Sequence, residues 1–128
     1  LEGFLVEVKK ASSMTLNQVR AVKYITLVAL YTPTNTWFVV PPHEVVRLVA
    51  AKGRGQHTEN PFESATLSIS KLNEYKVEDI GSLPDIVKSA AKRGDEHPEL
   101  KRAMVKIRED SARLAAESKE LVSRILAA

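Results

Sequence analysis

The chain has 128 residues, a net charge of +3, no cysteine and a composition that is 44% hydrophobic. That is enough chain to bury the core of one domain, and it excludes disulfides and thiolate metal sites. No apolar run approaches the roughly 18 residues of a membrane span, and the opening residues carry no secretory-signal pattern, so a cytoplasmic setting is expected.

Gly3 to Lys9 alternates with period two, which reads as a strand. Phe4, Val6 and Val8 share an apolar face, while Leu5, Glu7 and Lys9 share the other. Ser12-Ser13 break the pattern. Ser13 or Thr15 then caps an expected helix to about Tyr24, with Leu16, Val19 and Val22 on one side and Gln18 and Arg20 nearer the other. Ile25 to Tyr31 is β-branched and aromatic, Pro33-Thr34-Asn35-Thr36 is a turn, and Trp37 to Val40 returns as the second arm of a hairpin. Pro41-Pro42 stop it. A short helix from His43 to Lys52 buries Val45, Val46, Leu48 and Val49, with Pro42 tolerated at its first turn. Gly53 to Pro61 is a polar loop, and Thr66 to Leu72 reads as an edge strand.

From Gly81 the texture changes. Leu83 to Lys92 is an expected helix ended by Gly94. One long amphipathic helix follows from Pro98, with Leu100, Met104, Ile107, Leu114, Leu121 and Ile125 on a seam that Ser111 and Ser118 interrupt. Packing of that helix on its own domain is favoured over a dimerising coiled coil, which wants unbroken apolar heptads. Residues 1–76 hold nine Lys/Arg against six Asp/Glu, and residues 77–128 hold ten of each. The positive excess therefore sits on the α/β part, where a polyanion is attracted.

Glu7-Val8-Lys9 is the most informative feature. Two residues apart on a strand, the carboxylate and the ammonium project to the same side. There Glu7, with the backbone carbonyl of Val8, can hold Mg²⁺, and Lys9 can act on an attacking water or a charged transition state. Further along, Arg54, Gln56 and His57 form a loop able to reach phosphates or base edges, and Lys10 and Arg20 add positive charge. His43, His57 and His97 lack the spacing of a metal site and read as surface or capping residues.

Glu7-Val8-Lys9, the Thr15-Leu16-Asn17-Gln18 segment and Trp37-Phe38-Val39-Val40-Pro41 together resemble the PD-(D/E)xK nuclease superfamily over roughly residues 3–72. The resemblance implies an α/β fold: a mixed sheet with flanking helices, restriction endonuclease-like over 1–76 and apparently missing its first part, with a helical C-terminal extension over 77–128. It implies a Mg²⁺-dependent DNA endonuclease in which Glu7 is a metal ligand, Lys9 the catalytic lysine and Gln18 a supporting residue. The superfamily's first acidic residue lies on a preceding strand, and only six residues precede Glu7 here. An upstream segment, or a second chain in a homodimer, is therefore expected to supply an Asp. The alternatives are a non-catalytic nucleic-acid-binding domain and a structural protein that oligomerises through its C-terminal helix.

Overall fold

A computed structural model describes residues 5–52, 54–56, 58, 60–110 and 115–128, with the backbone alone at 110 and 115–118. The fold is mixed α/β. Strands β1 (Val6–Ala11), β3 (Thr26–Tyr31) and β4 (Thr36–Val40) form a sheet in the order β1-β3-β4, with β1 parallel and β4 antiparallel to β3. Strands β2 (Thr15–Val19) and β5 (Ala65–Ser68) form a separate antiparallel pair. The helices are α1 (Pro42–Ala50), α2 (Leu83–Asp95), α3 (Pro98–Asp110) and α4 (Ala115–Ala127).

The expected hairpin forms with the turn chemistry the sequence carries. Asn35 takes φ 52° and its N–H donates to the Thr32 carbonyl at 3.2 Å, a left-handed conformation that asparagine tolerates better than most residues. Helix α1 begins at Pro42, which fixes φ where no intrahelical donor is needed. Val45, Val46 and Val49 are buried, and Leu48 is partly so.

The segment expected as a helix up to Tyr24 is instead β2 followed by a short 3₁₀ helix, Ala21–Lys23. Its helix-like spacing has another cause. Between Leu16 and Val19 the pairing with β5 shifts register, and Gln18 takes φ 54°. A bulge of this kind adds one residue to the strand, so Leu16 and Val19, three apart, both face the core. The 3₁₀ turn then brings Val22 inward as well. A parallel pair such as β1 and β3 needs a crossover, usually an α-helix; here β2 and the 3₁₀ turn fill that place. At the other end of the pair, β5 stops at Ser68, and Ile69–Tyr75 turns into a 3₁₀ helix rather than continuing as a strand. The Ser68 hydroxyl accepts from the Ser70 N–H at that boundary.

Among the described residues β1 lies at the sheet edge, and Phe4 falls outside them. The Val6–Val8 face is not uniformly buried. Val28 and Val39, in register with Val8, are covered by Val87 and Ala90 of α2, but Val8 itself is 58% exposed. Helix α2 packs over β3 and β4, and on the edge strand Val6 still packs beside that cluster while Val8 does not.

The other sheet face carries the main core. Leu27, Ala29, Phe38 and Val40 pack with Val46 and Val49 of α1 and with Leu100, Met104 and Ile107 of α3. The expected single helix from Pro98 is two helices, α3 and α4, which pack on each other. Val122 of α4 is buried in the same core, with Leu121 and Ile125 packed against it. The apolar stripe is thus covered by the domain itself, as the sequence favoured; Ser111 and Leu114 lie outside the described residues.

Gly94 does not end α2, which continues to Asp95. Its role is close approach: a Cβ there would lie 2.7 Å from Cδ of Pro42, at the start of α1. The Tyr24 hydroxyl donates to the Gly94 carbonyl at 2.6 Å, so three elements meet at one glycine. Gly94→Ala should destabilise the fold by about 1–3 kcal/mol through overpacking, although alanine is the better helix former. Urea denaturation checks this: the midpoint should fall with the m-value unchanged.

Candidate functional site

The parallel register sets Glu7 opposite Leu27 and Lys9 opposite Ala29, so both side chains lie on the main-core face at its rim. They are partly exposed. Lys9 Nζ lies 3.6 Å from Glu7 Oε1. A third member joins them: Lys23, at the end of the 3₁₀ turn, donates to Glu7 Oε2 at 3.3 Å. Both oxygens of Glu7 therefore face an ammonium. No spacing rule in the sequence links Lys23 to Glu7; only the crossover brings it there.

Beyond Lys9 the strand runs into an open polar groove of about 390 Å³, lined by Val8, Lys9, Lys10, Ala11, Ser12, Ser13, Thr15 and Asn17. Its lining includes two lysines with hydroxyl and amide side chains, and among the described residues no acidic one. Such a set offers donors to anionic oxygens.

The remaining sequence candidates are dispersed or engaged. Gln18 sits on the β2 bulge, not on a helix, and its N–H donates to Gln56 Oε1 at 2.7 Å. Arg20 donates from Nε to the Glu63 carbonyl at 3.1 Å. The loop containing Arg54 and Gln56 is closed on itself: Gln56 N–H donates to the Ser64 carbonyl, Gly55 N–H to the Thr58 carbonyl, and the Thr58 hydroxyl to Glu63. Asn60 Oδ1, fully buried, accepts from Phe62 N–H. Much of that loop's polarity is thus spent on its own shape, and His57 lies outside the described residues.

A magnesium ion does not fit the donor set that the described residues assemble. Hard cations of this kind take oxygen ligands, usually with more than one carboxylate or phosphate nearby. Glu7 is paired with Lys9 and Lys23, which neutralise it from two sides. Among the described residues, no group of three or more His, Asp or Glu converges.

No family model, curated protein or solved structure matches the chain. Of the three residues singled out in the sequence, Glu7 and Lys9 share a rim, while Gln18 N–H donates to Gln56.

The histidines give a correction. His43 is not a surface residue: it is 5% exposed and stacks on His97 with ring centroids 4.0 Å apart. Its Nε2 lies 3.5 Å from Glu44 Oε1, and its buried Nδ1 has no hydrogen-bond partner among the described residues. Burial pushes its pKa below the usual histidine value, with His97, Arg93 and Arg47 pushing the same way and Glu44 opposing them. A histidine lowered in the folded state binds fewer protons there than when unfolded, so its stability contribution is present above the unfolded pKa and is lost as pH falls. Stability should decline from about pH 6.5 downward, at up to about 1.4 kcal/mol per pH unit for one site. Denaturant titrations between pH 5 and pH 8 check this, and His43→Phe, which keeps the stack without the titration, should flatten the slope.

Proposed function

We propose that this is a nucleic-acid-binding domain that engages the phosphate backbone through the groove at the end of β1. The observation that carries this reading is that Lys9, Lys10, Ser12, Ser13, Thr15 and Asn17 line one open groove. The positive excess of the chain lies in the same half. Phosphate contacts of this type give affinity and register without base specificity. Gln56 Oε1 accepts from Gln18 N–H, which ties that side chain to β2.

A second reading, a Mg²⁺-dependent DNA endonuclease of PD-(D/E)xK type, is favoured by one observation. Glu7 and Lys9 are partly exposed on the same side of one strand, 3.6 Å apart. It requires a second carboxylate beside Glu7, which the described residues do not bring there. The binding reading does not.

Anisotropy titrations of a labelled DNA duplex across salt concentrations test the proposal. Binding should weaken steeply with salt, and Lys9→Ala or Lys10→Ala should each reduce the slope of log affinity against log salt by about 1. Glu7→Gln should tighten binding, because it removes the negative charge that competes for Lys9 and Lys23. Absence of salt-dependent binding would sink the proposal. Mg²⁺-dependent cleavage that disappears in both Glu7→Gln and Lys9→Ala would instead select the endonuclease.

A further inference from the structure

We propose that two copies of this chain join antiparallel through their β1 edges, with the two-fold axis at Val8. Among the described residues β1 pairs only with β3, so its other edge carries no strand. The ladder fixes which main-chain groups lie there. Ala11 pairs with Tyr31, and its carbonyl accepts from Thr32 N–H, so Ala11, Lys9 and Glu7 bond inward to β3. Val6, Val8 and Lys10 then direct their N–H and C=O outward. An unpaired edge of this kind is a template for another strand.

The side chains select the occupant. In an antiparallel pair, opposed residues share a face, so a two-fold axis at Val8 sets Val8 against Val8 of the second copy. Glu7 then faces Lys9 of that copy, and Lys9 faces its Glu7. Moving the axis by one residue would oppose Glu7 to Glu7 or Lys9 to Lys9, and like charges directly opposite are destabilising. The Val8 register alone among these three pairs opposite charges. It also suits the hydrogen bonds: Val8 becomes a mutually bonded pair, as do Val6 and Lys10. The Glu7–Lys9 pairs fall at the non-bonded positions, where side chains approach more closely.

Burial points the same way. Val8 is 58% exposed, whereas Val28 and Val39, in register with it on the same sheet face, are each 4% exposed; Leu5, on the other face of β1, is 77% exposed. Pairing covers Val8 with its own copy and sets Leu5 opposite Ala11. The joined sheet runs β4-β3-β1-β1-β3-β4. The contact surface is small, so the dimer is reversible and concentration-dependent. The proposal rests on no part of the nucleic-acid reading, and its test contains no nucleic acid.

Sedimentation equilibrium of the full chain reads the dimer directly. Glu7→Lys and Lys9→Glu should each weaken it by about tenfold, since the symmetry repeats every lost pair. The double swap Glu7→Lys with Lys9→Glu restores the complementarity and should recover wild-type affinity to within about threefold. Val8→Lys, at an exposed position, should weaken the dimer without lowering the melting temperature of the monomer. Amide exchange on the unaltered protein gives an independent reading: protection at Val6, Val8 and Lys10 should rise with concentration, while Glu7 and Lys9 stay protected throughout. A strict monomer at all concentrations would overturn the proposal. So would a dimer indifferent to these substitutions, or edge amides whose protection ignores concentration.

Discussion

Burial of β3 on both faces is the constraint from which the rest follows. Thr26, Leu27, Val28 and Ala29 are all nearly inaccessible. One face of the strand packs on α1 and the other on α2, and each side of it must pair to satisfy its main chain. β4 does so through a short hairpin, antiparallel. β1 does so in parallel, and a parallel neighbour requires the chain to travel back before β3 can begin. The path from Ser12 to Ile25 is that return, and it places Lys23 against Glu7.

That return path explains why the chemistry collects at one rim. β1 is covered on the main-core face by the crossover, while on the other face α2 lies over β3 and β4 and only Val6 of β1 packs beside that cluster among the described residues. Glu7 and Lys9 thus sit half-buried beside a core, where an ion pair is less screened than on open surface. Val8, between them in sequence, is left in water. The groove and the β1 edge share Val8, Lys9, Lys10 and Ala11.

The helical half is tied into this arrangement by contacts too close for a larger residue. Gly94 meets Pro42, Tyr24 bonds to the Gly94 carbonyl, and His43 stacks on His97. These link α1, the crossover and the α2–α3 corner. They sit beside a core to which both the first 76 residues and the later helices contribute, from Leu27 and Val46 to Met104 and Val122. The buried histidine makes this junction sensitive to acid, because protonating it would place charge where burial and neighbouring arginines oppose it.

The sequence by itself determined the parts whose physics is local. The hairpin around Asn35, the Pro42 helix start, the burial of Val45, Val46 and Val49, and the common side of Glu7 and Lys9 all follow from turn chemistry or from the period of one element. It misled where a local irregularity imitates another period. The β2 bulge at Gln18 gives Leu16 and Val19 the spacing of a helix, and the α2 glycine that resembles a stop is there for contact with Pro42. Only the tertiary structure decided that β1 is an edge, that Lys23 completes the Glu7 cluster, and that His43 is buried against His97. Each depends on which distant segment lies alongside, and no periodicity within a segment encodes its neighbour.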